Sequence, residues 1–363
     1  MAKRIPLDNV CVKKIPTISS QYDGLIDYID ISSVDNAEKR IVSMQCISAK
    51  EAPSRAKQLL EIGDILVSTV RPNLNAVAMV EQQTNNLLVG STGYCVIRCN
   101  NNVDKRYVFQ FCQSPYFVDD MTSQATGASY PAVSSGIVRS STIPDYPINK
   151  QKLIADRLDK VSELTSLRRQ QLTKLDELVK ARFIELFGDY RINEKGFDCK
   201  KGSELFKFSS GKFLPEEKRL DEGIPVYGGN GIAWYTSESL VDYPTIIIGR
   251  VGAQCGNIHA VTTPVWITDN AIYIKEQKTN AYTLEFLTEL MRMMDFYQYA
   301  DFSGQPKITQ KPLETLNYIM PPIELQNEYT AFVEQTDKSK FAIQRSLDKL
   351  ETLKKALMQK YFG

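Results

Sequence analysis

The sequence predicts an α+β chain: two similar mixed α/β globules separated by two long antiparallel coiled-coil helices, with an internal pseudo-twofold repeat. Three observations predict it. The chain has 363 residues, room for about two domains at roughly 150 residues each. Residues 147–188 and 322–363 align on one another without a gap at a constant offset of 175, Pro147 falling on Pro322. Short β-rich segments upstream of each tract also resemble one another, in the same order.

The two tracts are read as helices from their composition. The first runs PINKQKLIADRLDKVSELTSLRRQQLTKLDELVKARFIELFG and the second PIELQNEYTAFVEQTDKSKFAIQRSLDKLETLKKALMQKYFG. Neither has a Pro or Gly inside it. Each begins just after a Pro and ends at a Gly suited to a C-cap. The offset pairs Gln151 with Gln326, and Leu172, Leu175 and Leu178 with Leu347, Leu350 and Leu353. Apolar spacing is close to heptad. One seam carries Ile154, Leu158, Val161, Leu172 and Leu175, with Thr165 and Arg168 as polar interruptions. The other carries Tyr329, Val333, Thr336, Ile343, Leu347 and Leu350. Helices of about forty residues are about 60 Å long, and a single apolar stripe on so long a helix requires a partner helix. Two in one chain can supply each other.

Upstream, Gly63–Arg71 (GDILVSTVR) resembles Asp242–Arg250 (DYPTIIIGR), which sets Val67 on Ile246 and Arg71 on Arg250. Ser91–Ile97 answers Thr268–Ile274, and the turn around Pro131 answers the turn around Pro306. These runs are short, β-rich and bounded by turn residues. Helical stretches at 105–121 and 281–299 lie between them.

Composition narrows the chemistry. Hydrophobic residues make up 43% and charged residues 24%, the balance of a soluble globular protein, and no apolar run reaches the 18 residues of a membrane span. The N-terminal MAKRIPLDNVCVKKIP has no apolar stretch of the signal-peptide kind. Seven cysteines without a CxxC pair read as free buried thiols of a reducing cytoplasm. With 44 Lys and Arg against 43 Asp and Glu, any nucleic-acid face is a local patch or is completed by partners. The single histidine, His259, leaves no His-based triad or zinc site to build. Ser210-Gly211-Lys212-Phe213 imitates the end of a P-loop without its Ser/Thr, and Gly249–Gly256 has the wrong spacing for a dinucleotide fingerprint. No Asn-Pro-Pro-aromatic or Asp-Pro-Pro-aromatic methyltransferase motif occurs. Asp145, Asp269 and Glu285 do not form a nuclease-like carboxylate pair. The chain is expected to be non-catalytic.

Duplicated globules and long helices, GDILVSTVRPN and PTIIIGRVG, ATGASYPAVS and FSGQPKIT, and helices introduced by IPDYPINKQK and IMPPIELQNE together resemble the specificity subunit of type I restriction–modification enzymes. The stretch 202–235, with GSELFKFSSGKFLPEE and IPVYGGNGIAWYTSE, is similar to the entry of a target recognition domain in that family. The resemblance spans essentially the whole chain. It implies target recognition domains at 1–146 and 189–321, a central helix at 147–188 and a C-terminal helix at 322–363. Each domain would read one half of a bipartite site in double-stranded DNA. The helices would set the spacer and dock two methyltransferase (modification) subunits carrying S-adenosylmethionine. Restriction subunits using ATP and Mg²⁺ would join them, in the cytoplasm, away from membranes. The rival reading is a coiled-coil scaffold or adaptor with two ligand-binding globules and no DNA.

Base readout needs Arg, Lys, Asn, Gln, Ser or Thr on loops that enter a groove. The candidates are Arg71, Asn73, Asn75, Ser129 and Tyr130 in the first half, and Tyr227, Asn230, Tyr235, Arg250, Gln305 and Lys307 in the second. Arg71 and Arg250 stand out because the repeat puts both at strand ends. Tyr227–Gly231 also reads as a simple turn, since Gly and Asn tolerate positive φ.

Overall fold

The computed structural model describes residues 3–363. Two compact units emerge: Met1–Gln170 with Gln344–Gly363, and Gln171–Ile343. The division falls inside both long helices, so each helix contributes to both units.

In the first unit the chain runs through β1 (Arg4–Pro6), β2 (Leu25–Ile29), β3 (Val34–Asp35), β4 (Arg40–Ile41), β5 (Gln45–Ser48), β6 (Ala56–Leu59), β7 (Ile65–Ser68), β8 (Val77–Met79), β9 (Leu87–Ser91) and β10 (Tyr94–Ile97). It continues through α1 (Lys105–Cys112), α2 (Pro115–Ser123), α3 (Ser135–Ser140) and β11 (Thr142–Pro144) into α4 (Ile148–Phe187). A four-stranded sheet has the order β5-β2-β9-β6, with β2 and β9 parallel. A three-stranded antiparallel sheet has the order β10-β7-β8, and β1 pairs with β11. The helix expected at 105–121 is two helices. Ser114 caps the second through the Phe117 amide, and Pro115 at its first turn cannot continue the first.

The second unit follows a similar plan, through β12 (Asp198–Lys201), α5 (Gly202–Leu205), β13 (Phe206–Ser210), β14 (Ile224–Gly228), β15 (Gly231–Thr236), β16 (Thr245–Gly249), β17 (Ile258–Val261), β18 (Trp266–Ile267) and β19 (Ala271–Gln277). It closes with α6 (Leu284–Met293), α7 (Gln310–Thr315), β20 (Asn317–Met320) and α8 (Ile323–Phe362). Antiparallel β13-β19-β16-β17 forms one sheet, and β15-β14-β18 forms another with β14 and β18 parallel. β12 pairs with β20 as β1 does with β11. The helical stretch expected at 281–299 is α6 followed by a 3₁₀ turn, Phe296–Tyr299, with Asp295 in the left-handed region between them.

Both long helices end on a glycine. Gly188, at φ +71°, donates its amide to Ile184 O, and Gly363 donates to Gln359 O. At their starts a buried glutamine ties each helix to its globule. Gln151 accepts from the Asp104 amide at 2.9 Å and donates to Tyr146 O at 2.7 Å. Gln326 accepts from the Thr283 amide at 2.9 Å and donates to Pro321 O at 2.8 Å. Asp104 and Thr283 are the N-caps of α1 and α6, so the latch is repeated in both units.

Within the first unit the helices pair antiparallel: Arg157 donates to the Tyr361 hydroxyl, and Arg169 pairs with Glu351. Asp176–Lys340 and Arg182–Glu328 do the same in the second. Of the expected seam residues, Ile154, Leu158, Val161 and Leu347 are buried, while Leu172, Leu175, Val333, Ile343 and Leu350 are half-buried. Much of the anchoring comes from aromatic side chains at the helix ends. Phe183, Phe187 and Tyr329 enter the core of the second unit, and Tyr361 and Phe362 that of the first. Among the described residues, no helix is long and apolar enough to cross a membrane, and no group of three or more His, Cys, Asp or Glu could hold a metal ion. All seven cysteines are free, but Cys46 and Cys199 are exposed, unlike the buried thiols expected.

Candidate nucleic-acid interface

In the first unit, β7 leads into a tight one-turn loop, Pro72–Leu74, flanked by Arg71 and Asn75, both left-handed at φ +50° and +46°. Non-glycine residues there cost about 1 kcal/mol or more each. A second loop holds this one in place. The Arg71 amide donates to Pro131 O at 2.7 Å, Val70 bridges Ala132, and Val133 N donates to Thr69 O. This brings the Arg71 guanidinium to 4.8 Å from the Tyr130 ring centroid, within range of a cation–π contact. Tyr130 is 69% exposed. Asn73 and Ser129 are exposed on the same two loops. Asn75 is half-buried, its carbonyl accepting from Lys39 Nζ at 2.5 Å and its Oδ1 buried without a partner. Arg71 and Tyr130 also line a cavity of about 360 Å³ with Ser32, Asn36, Ser68 and Leu74. Five of the candidates thus stand on two loops that are hydrogen-bonded together.

The second unit builds a similar junction. Val251 bridges Lys307, Ile308 N donates to Arg250 O, and Gly252 N donates to Pro306 O. The expected pairing of Arg71 with Arg250 is off by two residues: the equivalent hydrogen bonds put Gly252 in the place of Arg71 and Arg250 in that of Thr69, and the strand register likewise sets Val67 on Ile248 and not on Ile246, so the two arginines stand at different registers. The Arg250 guanidinium leans toward Asp269 O at 3.4 Å. Gln305 and Lys307 are exposed, and Gln305 Nε2 lies against Gly252. The β14–β15 hairpin closes over this junction, with Gly228 opposite Gly231 and Asn230 exposed at its tip. Contact is close: a Cβ on Gly249 would stand 2.7 Å from Gly229 O and 2.3 Å from Gln254 O. Glycine is therefore required there. Tyr227 and Tyr235 are half-buried on the hairpin, and burial, then Tyr235, pushes the Tyr227 hydroxyl pKa up. Tyr235 stands back from the tip, opposite Pro225.

Three neighbours carried no signal in local sequence. His259, on β17, packs 5.9 Å ring to ring from Tyr227, and burial pushes its pKa down. The Arg219 guanidinium lies 5.3 Å from the Trp234 ring. Lys39 reaches Asn75 from 36 residues away. Each depends on chain segments meeting in three dimensions.

A family profile described as the type I restriction modification DNA specificity domain matches the chain twice, over residues 7–177 and 194–355. The chain belongs to the type I restriction–modification DNA specificity family. Its duplicated junctions fall one in each matched copy. The chain is 26% identical over 253 residues to the type I restriction enzyme EcoprrI specificity subunit of Escherichia coli, covering 64% of this chain and 61% of that protein. Matches to curated relatives span 39% to 61% of the relatives' own length. In fold, this specificity-family chain is similar to the crystal structure of the type I restriction–modification system S subunit from M. genitalium, with TM-score 0.67, 18% identity, and 100% of this chain and 96% of that one covered. It is also similar to a chain from a study of complex assembly and conformational transition of the type I R-M system, with TM-score 0.62, 22% identity, and 99% and 97% covered.

Proposed function

We propose that this chain is the non-catalytic DNA-recognition subunit of a type I restriction–modification complex. The observation that carries this reading is the double match to a DNA specificity domain, one copy in each half of the chain. Target recognition domains at 1–146 and 189–321 each read one half of a bipartite site in double-stranded DNA. In the first, Arg71 supplies a bidentate fork beside Tyr130, with Asn73, Asn75 and Ser129 around it. In the second, Arg250, Gln305 and Lys307 serve the same end beside Tyr227, Asn230 and Tyr235. Arginine suits guanine O6 and N7, and Asn or Gln suits adenine. The differing registers of Arg71 and Arg250 accord with two different half-sites.

The helices at 147–188 and 322–363 set the spacer and dock two modification subunits. Leu153, Leu167, Leu178 and Leu353 stand about half exposed on them, apolar surface suited to partner helices. S-adenosylmethionine belongs to the modification subunits, and ATP and Mg²⁺ to restriction subunits where these join. The complex acts in the cytoplasm. Retention of bipartite duplex DNA by this chain, assembled with its modification subunits, tests the reading. A scaffold with no DNA role predicts no retention above that of the modification subunits alone.

A further inference from the structure

Within the first unit, a cavity of about 250 Å³ lies where the β3–β4 turn meets α1, α4 and α8. Lys39, Arg169 and Lys354 line it together with Glu38, Asp159 and Glu351. We infer that it binds a phosphate-sized oxyanion, held between Lys39 and Lys354.

The carboxylates in the wall already have partners. Glu38 accepts from Ser166 and Arg169, and Glu351 from Arg169. Asp159 accepts from Arg106 at 3.2 Å and from Gln110 Nε2 at 2.6 Å. Lys39, by contrast, donates to a neutral acceptor, the Asn75 carbonyl. Lys354 repels Lys39 and Arg169 repels Lys354, against a smaller attraction of Asp35 for Lys39 and of Asp159 for Lys354. Burial and Lys354 push the Lys39 pKa down to about 8, and burial and Arg169 lower that of Lys354. A bound anion offsets these costs together.

Two polar atoms of residues in the wall lie buried without a partner. Gln110 is 2% exposed, and its Oε1 has none; Ser162 Oγ is buried and equally unpaired. Turning the Gln110 amide over would set its oxygen against the Asp159 carboxylate, so the unpaired atom is the carbonyl oxygen. Hydrogenphosphate matches the two lysines, its oxygens accepting from their ammonium groups. Lys39 is also left-handed, at φ +54°, in a turn position where Gly or Asn is the usual choice. Because Lys39 holds the Asn75 carbonyl, the site adjoins the loop that carries Arg71.

The test is thermal unfolding and calorimetric titration of the full chain with sodium phosphate against sodium chloride at matched ionic strength, pH 7. The expected result is a saturable, phosphate-specific rise in Tm with measurable heat. The Lys39→Gln/Lys354→Gln variant is expected to lose both while keeping or raising its Tm in chloride. If that variant does not fold, Lys354→Met repeats the comparison. A second arm measures duplex DNA binding against salt. If phosphate has no specific effect but the variant lowers the salt slope by one or two counterions, the bound oxyanion is a DNA backbone phosphate. The inference is overturned if neither effect is seen, or if the phosphate response survives in the variant.

Discussion

Phe362 at the end of α8 packs 5.4 Å ring to ring from Tyr107 of α1 in the first unit, and Phe187 at the end of α4 packs 4.8 Å from Phe286 of α6 in the second. Both terminal phenylalanines are fully buried. Each unit is thus completed by the last turn of a helix that begins in the other. The helices are part of both cores, and stability follows from that. Phe362→Ala is expected to cost about 3–5 kcal/mol, the range for a buried aromatic truncated to Ala, with Phe187→Ala similar. Urea unfolding followed by fluorescence measures it. A cost below about 1 kcal/mol would mean that the first unit's core does not depend on α8.

Arg71 stacks on Tyr130 while using its backbone to hold the 131–133 loop. Arg71→Lys keeps the charge and loses the planar fork, so it should weaken recognition nearly as much as Arg71→Ala. The expected cost is about 1–3 kcal/mol in discrimination at one half-site, with the other half-site unchanged. Arg250→Ala should do the reverse. Competition binding against single-base variants of each half-site reads both. A uniform loss across all variants would make these arginines phosphate contacts.

His259 gives the second unit a dependence on pH. Burial is the main cause of its lowered pKa, with Arg292 adding to it and a hydrogen bond to the Gly229 backbone opposing it. Well above the ordinary imidazole value of about 6.5, both folded and unfolded chains hold it neutral. As pH falls below 6.5, the unfolded chain takes the proton first, and stability drops until the folded pKa is passed. The difference in unfolding free energy between the chain and His259→Asn should therefore shift against histidine between about pH 7 and pH 5. A difference constant with pH would contradict this.

The spacer reading makes a geometric prediction. Four residues inserted after Thr165 lengthen α4 by about 6 Å, and the preferred spacer should grow by one or two base pairs with both half-sites intact. Selection from a library of randomised spacer lengths measures it. Altered half-sites with an unaltered spacer would remove the helices as the ruler.

How far the fold was legible depended on whether the determining contacts were local. Pro147 and Gly188 bound the first long helix to within a residue, because Pro and Gly act on the backbone where they stand. Ser114-Pro115, an equally local signal, divides α1 from α2 inside a stretch whose apolar pattern reads as one helix. The heptad pattern finds Ile154 and Leu158, but it has no means of seeing that Phe187 and Phe362 leave the seam to enter globule cores. Arg71 and Tyr130 were legible separately, from a strand end and a Gly-rich turn. Their stacking was not, since they stand 59 positions apart in the chain. Lys39, Gln110, Ser162 and Lys354 lie on four segments, and only the folded unit gathers them into one cavity.

Methylome sequencing of a host carrying this chain with its modification subunit, beside the same host without the chain, reads out whether this chain chooses the methylated sequence. The expected result is a methylated bipartite motif that disappears when the chain is removed. Exchanging residues 1–146 for another target recognition domain should then change one half of the motif and leave the other. Methylation that is identical with and without the chain, and no bipartite motif in either, would contradict it.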